Sequence, residues 1–340
     1  MRNRVYYLDV IRCVACLMVV MMHAPLPGGL SGFIVVPISL ATAPCIGLFF
    51  MVSGALLLPS KENGFIFLKK RIGKVLAPVL FWTMVSIIVS GVTNGWPDAS
   101  QIIRKFLSIP FSVQGHGVLW FMYVLVGLYL LAPIISPWLE KAGKREIELY
   151  LLLWLVSMCY PILKLFLKIN DSPTGILYYF SGYVGYFVLG YYLRRTNCIH
   201  ISKIVKILFL IMPFALLGLC KAVGYEVDFY SVFWYLSILI ALMCYSLFCI
   251  AKENDVYFGK LSARTHKYIT QFSNLSFGIY LCHIFIMHNV LWNFIDISIM
   301  GGWVALLISF LGTLILSYIV SLLISYLPFG DYIIGYKRRK

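Results

Sequence analysis

Residues 5–25 read VYYLDVIRCVACLMVVMMHAP, an apolar run whose only strongly polar side chains are Asp9, Arg12 and His23. About 20 predominantly apolar residues are enough for a helix to cross the ~30 Å hydrocarbon layer of a bilayer, so the run is read as a membrane span. It starts close to Met1, carries charge, and has no small-residue cleavage site ahead of a polar chain. That predicts a retained helix and not a cleaved signal peptide.

Outward from it, nine more apolar segments follow at roughly 34–58, 73–93, 117–137, 147–168, 174–193, 204–223, 229–251, 272–295 and 301–327. Ten crossings of ~20 residues leave only short connections, so residues 1–340 are expected to form a single membrane domain with no separate soluble part. Composition agrees: 61% of residues are hydrophobic, 16% aromatic and 12% charged, whereas soluble domains are ~25% charged. An ordinary soluble enzyme is excluded. The expected fold class is all-α, a polytopic integral membrane protein of about ten transmembrane helices.

Charge sets the expected orientation. The net charge of +15, from 28 Lys+Arg and 13 Asp+Glu, would suggest a nucleic-acid partner in a soluble chain. In a membrane chain the position of the basic residues matters more, because loops left in the cytoplasm carry the excess. With a cytoplasmic N-terminus, 22 Lys+Arg fall on inside stretches and five on outside ones (Arg104, Lys105, Lys164, Lys168 and Lys221), with Arg12 inside the first span. The alternation predicts that both termini are cytoplasmic, and no nucleic-acid partner is expected. Within the longest outside connection, Asp98 to Phe106 has helix-like spacing of Ile102, Ile103 and Phe106, as for a helix lying along the outer membrane surface. The nine cysteines fall mainly inside apolar segments and read as small buried residues, not as a disulfide framework or a zinc site.

Asp9, Arg12 and His23 demand a reason. An Asp or Arg near the centre of a membrane helix costs about 2.5–3.5 kcal/mol on insertion scales. Arg12 and His23 are separated by about three turns, ~16 Å of rise and ~20° of residual rotation. They share a face, which Asp9 and Cys16 continue. Taken singly, Asp9 and Arg12 form an interfacial ion pair and His23 closes the helix before Pro25. Taken together, they are a polar track up an apolar helix, and a long ligand can touch both Arg12 and His23.

Tyr7-Leu8-Asp9-Val10-Ile11-Arg12, with Ala15 and His23, resembles the opening helix of membrane acyltransferase family three, the O-acyltransferases of cell-surface glycans, whose mark is an Arg and a His with ten residues between them. The resemblance extends to Phe49-Phe50-Met51-Val52-Ser53-Gly54, Leu119-Trp120-Phe121-Met122-Tyr123 and Ser276-Phe277-Gly278-Ile279-Tyr280-Leu281-Cys282-His283. Members often carry a basic pair before the third span. Here Arg71-Ile72-Gly73-Lys74 has Lys in the second place, a point charge that meets phosphate without a bidentate fork. The resemblance implies transfer of an acyl group, usually acetyl, from cytoplasmic acyl-CoA to a sugar hydroxyl of a polysaccharide or lipid-linked glycan in the bacterial cytoplasmic membrane. The chain is similar to the stand-alone members, including those acetylating enterobacterial surface polysaccharides, which implies that it meets its acceptor directly.

On that reading the donor is acetyl-CoA or another acyl-CoA, and no metal is expected. His23 is the expected general base on the acceptor hydroxyl or, alternatively, a covalent acyl carrier. Arg12 orients the donor or stabilises charge on the thioester oxygen, with Asp9 fixing its guanidinium. Arg71 and Lys74 meet the nucleotide phosphates, while Lys69 and Lys70 read as positive-inside anchors. Ser53, His116, Trp120, Tyr280 and His283 are candidate substrate-lining residues. Tyr280 and His283, three apart, face one way, and Ser53-Gly54 reads first as a close helix contact. His288, five residues after His283, falls on another face of an α-helix. Two other classes stay open: a transporter or flippase using the Asp9, Arg12 and His23 stripe as a proton or substrate pathway, and a scaffold of a polysaccharide assembly complex.

Overall fold

The first apolar run forms α1 (Tyr6–His23), with Asp9 in its first turn, where a carboxylate opposes the positive end of the helix dipole. It stops just ahead of Pro25, a residue that disfavours helix in its predecessor. The computed structural model describes residues 4–25, 30–108, 119–169, 172, 174–196, 201–296 and 299–338. Among them all regular structure is helical. Among the described residues, eight stretches are long and apolar enough to cross a membrane: Tyr6–His23, Ile34–Leu57, Gly64–Val89, Trp120–Lys141, Lys144–Leu167, Lys203–Ala222, Ala263–Phe294 and Gly302–Ser325. The chain is a multi-pass membrane protein.

The difference from ten expected segments lies in two that are helical but short. Residues 174–193 yield a 3₁₀ turn (Tyr178–Phe180) and α9 (Val184–Arg195), parted by Gly182 at φ 97°. Residues 229–251 yield α11 (Phe229–Val232) and α12 (Ile238–Glu253), because Asp228 and Ser237 each cap a new N-terminus, accepting from the amides of Tyr230 and Leu239. Two other segments are helix pairs with a proline among the first two residues of the second member: α2 (Gly32–Thr42) with α3 (Pro44–Leu57), and α7 (Lys144–Ser157) with α8 (Tyr160–Leu167). The third span also starts earlier than the expected 73. Helix α4 (Gly64–Asn94) is capped by Asn63, so Lys69 to Lys74 are helical and not loop. Residues 99–106 fall on α5 (Ala99–Ser108), as their spacing predicts, with Ile103 and Leu107 exposed.

Contacts divide the chain into two compact units. One comprises 1–22, 31–59 and 135–270, with α2, α3, α7, α8, α9, α10 (Lys203–Ala222), α11, α12, α13 (Asp255–Gly259) and most of α1. Helices α3 and α9 meet backbone to backbone: a Cβ on Gly54 would lie 1.8 Å from the carbonyl oxygen of Phe187, and one on Gly190 would lie 1.9 Å from that of Met51. Small residues permit such approach. Lys252 closes the C-terminus of α9, its Nζ donating to the carbonyls of Leu193 (2.5 Å) and Thr196 (2.6 Å). Buried Lys206 on α10 pairs with Glu253 on α12.

The other unit comprises 23–30, 60–134 and 271–340. It holds α4, α5, most of α6 (Trp120–Lys141) and of α14 (Ala263–Ile286), a π-helical segment (Met287–Leu291), α15 (Trp292–Phe294), α16 (Gly302–Ser325) and α17 (Gly330–Ile334). Helix α16 buries a hydroxyl stripe four residues apart, Ser309, Thr313, Ser317, Ser321 and Ser325. Against it packs Gly278, where a Cβ would come within 2.8 Å of the Ser321 Oγ. Trp82 ties α4 to α17 by donating to the carbonyl of Ile333 at 3.1 Å.

Candidate functional site

Helix α1 carries His23 at its end, and there the ring lies 5.3 Å, centroid to centroid, from the ring of His283 on α14. The His283 Nδ1 is 2.5 Å from the carbonyl oxygen of Tyr280. A carbonyl only accepts, so Nδ1 carries the proton and the neutral ring presents Nε2 as a lone pair. His283 is 0% exposed, and that Nε2 has no hydrogen-bond partner among the described residues. A buried acceptor left unmatched costs about 1–3 kcal/mol, and in a native interior such an atom calls for a functional or ligand-bound explanation.

Tyr280 stands 5.6 Å from His283 and meets Phe121 on α6 edge to face at 5.2 Å. Beyond α14 the π-helical segment winds more loosely, with i to i+5 bonds. His288 falls on this segment and is exposed where His283 is buried, so the two stay on different faces. His288 lies within electrostatic range of both His23 and His283 and stacks on Trp292 at 4.2 Å. Among the described residues no group of three or more His, Cys, Asp or Glu is arranged to hold a metal ion.

The remaining candidates are spread over both units. Arg12 is half-buried midway along α1. Asp9 is buried, and its carboxylate receives Nε (2.5 Å) and Nη2 (3.0 Å) of Arg4. The carboxylate expected to fix Arg12 is thus engaged by a residue the sequence did not single out. Cys13 and Cys16 stand at C-x-x-C spacing on the same helix without a disulfide, Cys16 buried and Cys13 directed at the carbonyl of Ile269. Ser53 is half-buried on α3 beside the tightly packed Gly54. On α4, Arg71 is half-buried with its guanidinium 5.9 Å above the Phe67 ring and its buried Nε without a hydrogen-bond partner among the described residues. Lys74 is exposed, and Lys70 pairs with Glu62 at 2.9 Å. Trp120 is half-buried at the start of α6, while His116 lies outside the described residues.

Of the sequence-selected residues, then, His23, Tyr280 and His283 come together. Phe121 could have been picked from its place inside the quoted stretch 119–123. Trp292, stacked on His288, was not singled out.

A family model described as an acyltransferase domain, acyltransferase family 3, matches residues 5–322. The chain belongs to this family. No curated protein and no solved structure matches it. The resemblance drawn from residues 7–23, 49–54, 119–123 and 276–283 is borne out. The protein is a membrane acyltransferase, and membership brings with it an acyl donor and an acceptor.

Proposed function

We propose that this acyltransferase moves an acetyl group from acetyl-CoA to a hydroxyl of a cell-envelope glycan, as a single domain in the bacterial cytoplasmic membrane with both termini in the cytoplasm. The observation that carries the proposal is the imidazole pair: half-buried His23 against His283, whose lone-pair nitrogen is buried and unmatched. His23 takes the proton of the acceptor hydroxyl as its oxygen attacks the thioester carbon. The C–S bond then breaks, and the proton returns to the departing thiolate. His283 and Tyr280 line the acceptor side, with Trp120 and Ser53 as further substrate-lining residues. Arg12, about three turns along α1 from His23, holds the donor away from the reacting carbon. Arg71, with donor capacity to spare, and Lys74 take the nucleotide phosphates.

The test is the acyl content of surface polysaccharide from cells expressing the wild type, His23→Ala or Arg12→Ala at matched membrane levels. Removing a general base is worth about 10²–10⁴ in rate, so ester-linked acyl groups should vanish in His23→Ala while polysaccharide is still exported. Unchanged acylation in both variants sinks the assignment. Normal acylation with blocked export favours a transporter.

A further inference from the structure

In the first unit, three segments that read as continuous apolar runs, 147–168, 174–193 and 229–251, are all interrupted, and the interruptions surround one cavity of about 330 Å³. The breaks lie between α7 and α8, before α9, and between α11 and α12. Non-helical backbone within spanning segments exposes amides that lipid cannot satisfy, and it is tolerated where it lines a wet cavity. The volume falls within the usual range of small-molecule clefts.

The lining is aromatic with polar edges. Tyr160, Tyr178, Tyr183, Tyr230, Trp234 and Tyr235 face the cavity. Tyr230 stands edge-on to Trp234 at 4.9 Å, and Trp234 leans on Tyr235 at 4.5 Å. The hydroxyls of Ser181 and Ser231 donate to the carbonyls of Tyr178 (2.6 Å) and Asp228 (3.2 Å), which leaves their lone pairs to accept. Lys164 adds an exposed donor. Three bonds tie the walls together: Trp154 Nε1 to the Gly182 carbonyl (2.9 Å), the Ile238 amide to the Met158 carbonyl (2.9 Å), and the Tyr186 hydroxyl to the Tyr235 carbonyl (2.6 Å). A cleft held in shape this way binds without the entropy cost of ordering it. The Tyr235 hydroxyl also reaches Sδ of Met22 at 3.2 Å, and Met22 is the residue before His23 in the chain.

We propose that this cavity is a carbohydrate subsite that seats a pyranose ring of the acceptor on Trp234 and Tyr230. A sugar presents C–H bonds on its faces and hydroxyls around its edge. The C–H face suits the electron-rich face of an aromatic ring, and the hydroxyls suit the tyrosyl and seryl groups around it. A lipid tail would leave those hydroxyls unmatched, and a nucleotide diphosphate would need more cations than Lys164. Taking the bound sugar as the acceptor rests on the acyl-transfer reading above.

The test uses the full chain in detergent and, as probe, oligosaccharides cut from the surface polysaccharide of expressing cells after mild alkaline removal of esters. Without donor, Trp234→Ala should weaken their binding about tenfold, equivalent to about 1.4 kcal/mol. The acceptor KM should rise by a similar factor with the donor KM unmoved, and Trp234→Phe should restore most of the binding. Should Trp234→Ala fail to fold, Tyr230→Ala serves, since that ring is 65% exposed and supports little core. Folded variants that bind the oligosaccharides as the wild type does overturn the subsite while leaving acyl transfer intact. Binding through Trp234 without any acyl transfer upholds the subsite and sinks the acyl-transfer reading instead.

Discussion

His283 is the residue whose environment says most about the chemistry. Its Nδ1 is committed to the Tyr280 carbonyl, and its Nε2 is buried with nothing among the described residues to receive. An asparagine at this position places an amide N–H near Nδ1 but offers no lone pair where Nε2 was. His283→Asn should therefore reach the membrane at wild-type abundance while transferring acyl groups about tenfold more slowly, the scale of one lost hydrogen bond in a buried site, as read by initial rates at matched protein. Equal rates would reduce His283 to packing. Arg71 and Lys70 make a second contrast one position apart. Lys70 is exposed and paired with Glu62, an arrangement worth little, whereas the Arg71 Nε is buried and unpartnered among the described residues. Titration of acetyl-CoA should give an about tenfold higher donor KM for Arg71→Ala, as expected for a lost charge-assisted hydrogen bond, and almost no change for Lys70→Ala. Both contrasts start from residue types visible in the sequence. What the sequence left out was a partner: the Asp9 carboxylate receives Arg4, which lies ahead of the helix. Helical spacing tells which side chains share a face, but not which neighbour a short carboxylate selects.

Helix α3 meets α9 at Gly54 and Gly190, where each Cβ position is occupied by the carbonyl group of the other helix. Backbone cannot swing aside as a side chain does. Gly54→Ala or Gly190→Ala should destabilise the protein by about 1–3 kcal/mol or more, the usual cost of overpacking, seen as a lower unfolding midpoint in detergent. Ala55→Gly, on the same helix, serves as a comparison that adds no atoms. The Gly54 contact was foreseeable, since Ser53-Gly54 in an apolar run reads as a close-packing pair. Gly190 was not, because its partner Met51 is remote in sequence and nothing local marks it. The interruptions of 174–193 and 229–251 escaped notice for a related reason. Hydropathy reports only that a segment is apolar, whereas the breaks come from Gly182 and from the caps at Asp228 and Ser237. The π-helical turn after α14, which carries His288, likewise leaves the apolar pattern unchanged.

Over the whole chain, basic residues alternate with the apolar segments in the sense that keeps both ends in the cytoplasm. A fluorescent protein fused at the C-terminus should accordingly fold and fluoresce. A secreted phosphatase fused after residue 169, in the stretch carrying Lys164 and Lys168, should be active. The reverse pattern would invert the chain and place His23 at the opposite face. The amino-acid order alone settled the solvent, the helical class and the family, because the cost of apolar surface in water and of Asp9 and Arg12 in lipid is paid residue by residue. The 49–54, 119–123 and 276–283 stretches likewise carry their resemblance in consecutive letters. Tertiary structure alone decided that the His283 nitrogen is buried and unmatched, that Arg4 holds Asp9, and that three broken segments enclose an aromatic cavity. The cavity joins residues distant in the chain, the other two depend on where a single side chain turns, and neither leaves a trace in hydrophobic periodicity.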